Sequence, residues 1–128
     1  MKKVFLICSI VMLAAGAARA GEPPDWMKQS YPALALEGAW AEQQAVFGPK
    51  GAVPPKMKNL IALGVAAQIP CAYCVYFFTQ KAKKAGMTDA EIKEAVAVAA
   101  LVRKWSTVLN GTAYDMEKFK AEVGGPSN

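Results

Sequence analysis

The sequence predicts an all-α fold for most of the 128-residue chain. Alanine, the residue with the highest helix propensity, occurs 19 times after residue 20. No stretch alternates β-branched and polar residues, as a half-buried strand would. Proline, glycine and capping residues divide the apolar stretches into segments of helix length. We therefore expect several helices joined by short loops.

The first predicted helix runs from residues 30–32 to about Phe47. Proline suits the first helical position, so Pro32 is a good start, and a glycine and a proline follow Phe47. We expect three large side chains of this helix in the core: Leu36, Trp40 and Phe47. Residues 21–30 before it are expected to form an extended arm with one turn around Trp26, which packs against the body.

Two further helices lie on either side of Pro70. The first, over 54–69, begins at two prolines and ends before Pro70, because the residue preceding a proline disfavours the helical conformation. Its Gly64 indicates close contact with another helix, since glycine inside a helix costs about 1 kcal/mol relative to alanine. The second helix, over 70–85, has a basic last turn and Gly86 as the residue that ends it.

The longest predicted helix begins at the capping box Thr88–Glu91 and continues to Leu109. Its apolar face over 92–105 is broader than one neighbouring helix can cover, which indicates several neighbours or a second subunit. A last helix is expected to begin at a cap formed by Thr112 and to end near residue 123.

The first twenty residues have the parts of a secretory signal peptide. Lys2 and Lys3 form a charged start, residues 4–18 are apolar, and Ala18-Arg19-Ala20 forms a cleavage signal. The apolar stretch is shorter than the roughly 20 residues that span a bilayer, and an uncleaved anchor is the alternative. We expect export across the inner membrane to the periplasm. The expected organisation is a signal peptide, an arm, a helical domain and a flexible tail: 1–20, 21–30, 31–123 and 124–128.

Composition excludes several classes of function. The chain has no histidine, so it cannot form a Ser-His-Asp triad, a Cys-His pair or a histidine-ligated metal site. Without Lys2, Lys3 and Arg19, its 15 basic residues become 12 against 10 acidic residues, a net charge of +2. This charge gives little support for a nucleic-acid or anionic-membrane partner. We expect no metal and no cofactor.

The segment Pro70-Cys71-Ala72-Tyr73-Cys74 carries the chemistry of the chain. Cysteines at positions i and i+3 lie on one side of a helix, near enough to form a disulfide. The N–H groups and dipole of a helix N-terminus stabilise a thiolate and make it more reactive. A bridge around so short a loop constrains the unfolded chain little. These features favour a redox role over a structural bridge or a soft-metal site, whereas Cys8 leaves with the leader.

Three segments resemble the carboxymuconolactone decarboxylase / alkyl hydroperoxidase D-like (AhpD-like) family, in order and in spacing: 55–66, 71–74 and 86–95. The resemblance covers roughly residues 32–115. It implies a helical bundle with the CxxC at a helix N-terminus, assembled as a trimer or hexamer. It also implies that Cys74 attacks a peroxide and Cys71 resolves the intermediate, whereas helix electrostatics alone favour Cys71 as the more reactive thiol.

The chain departs from the family at three positions that carry protons in its peroxidases. Asn59 replaces a glutamate, Phe78 replaces a histidine, and Tyr73 stands where some members have a histidine. Asparagine and phenylalanine cannot accept a proton from a thiol, and tyrosine is a poor base at neutral pH. Glu37 or Glu42 could substitute, although nothing in the sequence places either carboxylate beside the thiols.

The sequence thus predicts an exported thiol–disulfide oxidoreductase, because exchange requires no proton relay. Its partner would be a protein thiol or disulfide, or a hydroperoxide, with at most weak peroxidase activity. Lactone decarboxylation, which names the family, lacks its acid–base groups. The alternatives are a binding or assembly module and soft-metal binding through the CxxC. An aromatic cluster either lines an apolar substrate mouth or packs inside the protein: Tyr73, Tyr76, Phe77 and Phe78.

Overall fold

The computed structural model describes residues 21–125, which contain six α-helices and no strand. This confirms the all-α prediction. By their contacts, these residues belong to two compact units that meet in sequence between Gln44 and Ala45. The predicted signal peptide and residues 126–128 of the predicted tail lie outside the described residues. The helices are α1 (Asp25–Ser30), α2 (Ala33–Phe47), α3 (Pro55–Gln68), α4 (Ala72–Lys84), α5 (Asp89–Gly111) and α6 (Met116–Gly124).

The N-terminal unit shows that the expected extended arm is only partly right. Residues 21–24 are extended or irregular, but the next six residues form α1. Within α1, Met27 is buried, whereas Trp26 is 53% exposed, more than expected. The indole N–H of Trp40 on α2 donates a hydrogen bond to the carbonyl oxygen of Gly21. The start of the arm is therefore tied to α2 by a backbone contact.

Helix α2 has the predicted position but not the predicted burial. It begins one residue after Pro32 and ends at Phe47. Leu36, Trp40 and Phe47 are only half-buried, and Leu34 is fully exposed. The physical reason lies in the sequence of α2, where apolar residues are spread around the helix and form no single stripe.

The C-terminal unit is built on α3, which packs against both α4 and α5. Leu63 of α3 and Ala82 of α4 are among the most buried side chains. Gly64 allows the close approach that the sequence predicted, since a Cβ atom there would lie 3.4 Å from the Cβ atom of Ala99 on α5. Beside this contact, the side-chain amide of Gln68 donates a hydrogen bond to the Ala99 carbonyl oxygen, 2.9 Å away.

The predicted capping box at the start of α5 is present. The backbone N–H of Glu91 donates to the Thr88 hydroxyl at 3.2 Å, and the backbone N–H of Thr88 donates to the Glu91 carboxylate at 2.7 Å. The bond from the Thr88 backbone, followed by a hydrogen bond from Lys56, holds the pKa of Glu91 below its usual value. The ion pair of Glu91 with Lys56, at 3.2 Å, links the N-terminus of α5 to α3.

The expected cap of the last helix was wrong. Thr112 lies at the C-terminal cap of α5, where its hydroxyl donates to the Val108 carbonyl oxygen at 2.8 Å. Asp115 caps α6 instead, because its carboxylate accepts the backbone N–H of Lys118 at 2.7 Å. Both threonine and aspartate are good N-cap residues, so local preference alone did not separate them.

Helix α5 exposes the apolar face that the sequence predicted. None of its residues is buried within the described chain. Among the described residues, no helix is long and apolar enough to cross a membrane. We call the exposed side chains of this helix the α5 face: Val98, Leu101, Val102, Trp105 and Val108.

Candidate redox site

Cys71 and Cys74 form a disulfide at the N-terminus of α4, with their Cα atoms 5.2 Å apart. Cys71 is the N-cap residue and has extended backbone angles, whereas Cys74 lies in the first helical turn. The backbone N–H of Cys74 donates a hydrogen bond to the Cys71 sulfur at 3.2 Å. The two cysteines are therefore paired where the sequence predicted them.

The turn between α3 and α4 places this disulfide. Pro70 lacks an N–H group and cannot continue α3. The backbone N–H of Cys71 instead donates to the Ala66 carbonyl oxygen of α3 at 3.2 Å. Its own carbonyl oxygen accepts the backbone N–H of Val75 at 2.9 Å, the first turn of α4. Cys71 is thus anchored by the end of one helix and the start of the next.

The electrostatics of this helix end favour negative charge on Cys71. When the disulfide is reduced, the Cys74 N–H is already placed to donate to a Cys71 thiolate, and a hydrogen bond to a charged acceptor is stronger than one to a neutral one. Helix α4 carries no carboxylate, and its basic residues Lys81, Lys83 and Lys84 lie in the last turn. The positive end of the α4 dipole adds to the same effect.

Two of the positions at which the resemblance implies a proton relay are occupied by packed side chains. Asn59 is 9% exposed and lies one turn before Leu63 on the buried side of α3. The ring of Phe78 stacks on Phe47, with ring centroids 5.3 Å apart, and contacts the edge of Phe77 at 5.2 Å. Neither Asn59 nor Phe78 can exchange a proton with a thiol.

The remaining sequence candidates are surface residues. Tyr73 is 91% exposed, so its hydroxyl group is surrounded by water. Glu37 and Glu42, the two suggested substitutes for the relay, are exposed carboxylates of α2. The structure also divides the aromatic cluster that the sequence analysis treated as one group. Tyr73 and Tyr76 are exposed, whereas Phe77 and Phe78 are half-buried.

Titratable groups with shifted pKa values lie at other places in the C-terminal unit. A hydrogen bond and ion pair with Lys83, 2.9 Å away, lower the pKa of Asp89. A hydrogen bond to Glu122 raises the pKa of Tyr114. Within residues 21–125, no three His, Cys, Asp or Glu side chains come together in a group that could hold a metal ion.

A surface beside the disulfide was not predicted from the sequence. Four α4 residues, spaced as i, i+3, i+4 and i+7 from Ala72, line a shallow depression of about 500 Å³ together with the preceding proline. Tyr76 within it is 70% exposed. The helical spacing from Ala72 was the signal that could have found this surface. We call it the α4 strip: Pro70, Ala72, Val75, Tyr76 and Thr79.

Comparison with known proteins identifies the class to which this helical fold and cysteine pair belong. The family model described as the carboxymuconolactone decarboxylase family matches residues 33–114. The chain therefore belongs to this family, which includes enzymes.

Two relatives support the assignment. The crystal structure of the alkylhydroperoxidase AhpD core from Rhodospirillum rubrum superposes with a TM-score of 0.61 and 27% identity, covering 66% of this chain and 62% of that one. The "Uncharacterized protein 4 in cox locus" of Paracoccus denitrificans is 32% identical over 68 residues, which are 53% of this chain and 61% of that protein. The matched part thus spans less than two thirds of either relative.

Proposed function

We propose that the protein is a thiol–disulfide oxidoreductase that cycles Cys71 and Cys74 between disulfide and dithiol. The observation that carries this proposal is the position of the disulfide, with the Cys71 sulfur as the cap of α4 and as acceptor of the Cys74 N–H. A thiolate stabilised in this way is both a reactive nucleophile and a good leaving group at neutral pH.

Exchange would proceed through a mixed disulfide between one cysteine and a partner sulfur. The second cysteine then attacks the first, releases the partner as a thiolate and restores the Cys71–Cys74 bond seen in the structure. Both steps require only thiolates and accessible sulfurs. The half-burial of both cysteines leaves them partly open to solvent, which supports such access.

Peroxidase activity is expected to be slow. A peroxide-attacking thiol needs a base to remove its proton and an acid for the departing oxygen, and such help contributes about 10²–10⁴-fold in rate. The buried amide of Asn59 and the stacked ring of Phe78 supply neither group. The related crystal structure is titled an alkylhydroperoxidase, so peroxide reduction is the activity against which exchange should be measured.

The proposal includes export and self-association. The features of residues 1–20 support secretion to the periplasm, where an oxidising environment allows disulfides to persist. The exposed α5 face supports assembly of several copies, a trimer or hexamer by resemblance to the family. A binding or assembly module without redox activity is the alternative, and it predicts no turnover with thiols.

A stopped-flow experiment compares the two activities directly. The reduced protein is mixed with a small aromatic disulfide and, separately, with an organic hydroperoxide. We expect fast exchange with the disulfide and a slow, non-saturating reaction with the hydroperoxide. Fast and saturable peroxide turnover would show that another group has replaced the relay, and an inert dithiol would favour the binding module.

A further inference from the structure

We propose that the α4 strip docks a polypeptide segment whose cysteine exchanges specifically with Cys71. This inference rests on the proposed function and deepens it, because it names the surface that would hold a protein substrate and the kind of segment that fits it. The occupant is an extended segment with a cysteine, apolar residues beside it and acidic residues further along.

The strip adjoins Cys71 in the chain, whereas Cys74 lies on another side of α4. Cys71 lies in the chain between Pro70 and Ala72, two residues of the strip, and its carbonyl oxygen is bonded to the N–H of a third, Val75, at 2.9 Å. Cys74 follows Ala72 by two residues and therefore lies about 160° away around the helix axis. A segment on the strip would bring its sulfur to Cys71.

The shape of the strip suits a polypeptide better than a small molecule. The depression is open, and Tyr76 at its centre is 70% exposed. A small hydroperoxide bound there would stay largely in water and would bury little apolar surface. An extended segment can cover Val75, Tyr76 and Thr79 together, and a tyrosine provides a large contact area with little loss of conformational entropy.

The positive charge at the C-terminal end of α4 indicates which residues the docked segment carries at a distance from its cysteine. The helix has three lysines in its last turn and no acidic residue. Lys83 follows Thr79 by four residues and so continues the line of the strip; it is about half-exposed and pairs with Asp89 at 2.9 Å. Lys84 is also exposed. Acidic residues about five to six positions from the partner cysteine in an extended segment would meet these cations, because the helix rises about 18 Å between Cys71 and Lys83.

The exchange requires only the two sulfurs of the protein and the two sulfurs of the partner disulfide. In the reduced protein, the Cys71 thiolate attacks one sulfur of a partner disulfide, a Cys71–partner bond forms, and the other partner sulfur leaves as a thiolate. The Cys74 thiolate then attacks the Cys71 sulfur, which forms the Cys71–Cys74 bond and releases the second partner thiolate. The protein loses two electrons and the partner disulfide gains them; solvent supplies protons to the released thiolates.

Single-cysteine proteins test this assignment. All variants carry Cys8→Ser, so that Cys71 and Cys74 are the sulfurs under study. The probes are two synthetic peptides, each with one cysteine next to leucines and joined to 2-nitro-5-thiobenzoate, one with aspartates and one with lysines beyond the leucines. Release of the coloured thiol gives the exchange rate. A small aromatic disulfide serves as the reference substrate.

With Cys74→Ser, we expect the acidic peptide to react about tenfold faster than the basic one, relative to the reference substrate. Adding Lys83→Gln with Lys84→Gln should remove most of that preference, because these two cations would meet the aspartates. Adding Tyr76→Ser should instead slow both peptides about tenfold relative to the reference substrate, because it truncates the tyrosine at the centre of the strip. Tyr31→Ser, the same change at an exposed tyrosine of another segment, should leave both rates unchanged. With Cys71→Ser, no preference is expected.

Three results would overturn the docking proposal. They are equal rates for the two peptides, peptide rates that Tyr76→Ser leaves unchanged, and dissociation of an oligomer by Tyr76→Ser, which would mean that a second copy covers the strip. All three leave exchange with the small disulfide unaffected. Loss of that reference reaction in the parent protein would instead contradict the proposed function itself.

Discussion

Two successive turns of α4 differ in what their side chains do. In the first turn, the Cys71–Cys74 disulfide is half-buried, and the Cys71 sulfur accepts a backbone N–H. One turn later, at the position where the resemblance implies a relay histidine, Phe78 stacks on Phe47. The chemistry of the first turn depends on backbone N–H groups, which nearly every residue supplies. The chemistry of the second depends on the side chain and is lost when that side chain changes.

This difference explains why one activity can persist without the other. Thiol exchange uses only the sulfurs and the helix end, whereas peroxide reduction also needs proton carriers. The aromatic contact of Phe78 gives its position a different role, because stacked pairs stabilise a fold by about 0.5–1.5 kcal/mol beyond their buried area.

Removing the two cysteines of the first turn of α4 should have the largest effect on activity. The double variant Cys71→Ser, Cys74→Ser should lose all thiol exchange and keep its helical circular dichroism. Its free energy of unfolding should fall by less than the roughly 3 kcal/mol expected for a 15-residue loop, because the closed loop is much shorter. Chemical denaturation checks the stability, and a variant that fails to fold would indicate a structural bridge.

Placing proton carriers at the two expected relay positions should have the next largest effect on activity. Asn59→Glu with Phe78→His should raise the rate of peroxide reduction about 100-fold, the lower end of the acid–base range. The same variant should be less stable, because it loses the Phe47 stack and a buried polar group left unpaired costs about 1–3 kcal/mol.

The matched control for this variant is Asn59→Gln with Phe78→Leu, which changes both positions without adding an ionisable group. It should leave the peroxide rate unchanged. A folded Asn59→Glu, Phe78→His protein with no gain in stopped-flow peroxide oxidation would show that these two positions are not the missing relay.

A charge on the α5 face should affect assembly more than redox activity. Val102 is 67% exposed in the single chain, and Val102→Asp should weaken self-association at least about tenfold, because burying an unpaired charge is unfavourable. Ala100→Asp, about 160° away around the helix, is the control. Sedimentation velocity measures both, and a parent protein that stays monomeric at micromolar concentration would contradict the assembly proposal.

The smallest effect is expected at the capping box of α5. Thr88→Ala should lower the free energy of unfolding by about 1 kcal/mol, the usual cost of losing an N-cap side chain. Because the folded pKa of Glu91 lies below its ordinary value of 4.5, its contribution is present above that pH and is lost as the pH falls through the folded value. Denaturation curves measured from pH 7 to pH 3 should show the loss of the Glu91 contribution. A Thr88→Ala protein as stable as its parent at pH 7 would contradict the expected cost of losing the cap.

Local sequence signals predicted most of the fold, because they act within a few residues. Proline at the start of α3, the capping box at Thr88 and the left-handed Gly86 all lie where expected. Burial was predicted less well, since it depends on residues distant in sequence. Trp26 is more exposed than expected for this reason, and α2 lacks buried residues.

At the candidate site, too, the local features were predicted from the sequence and the contacts between distant residues were not. The positions and pairing of Cys71 and Cys74 follow from spacing at a helix N-terminus, so the sequence was sufficient to predict them. The stack of Phe78 on Phe47 joins two helices and needed the three-dimensional structure. The α4 strip was missed because its spacing is also that of an ordinary buried helix face, and only exposure separates the two.

The reduction potential of the Cys71–Cys74 pair tests the redox proposal most directly. Oxidised protein is equilibrated with glutathione or dithiothreitol buffers of known potential, and the reduced fraction is measured by thiol labelling and mass spectrometry. We expect a potential in the range of working oxidoreductases, between about −270 and −120 mV, because the helix N-terminus stabilises the reduced thiolate form. A potential below about −300 mV, typical of structural disulfides, would contradict it.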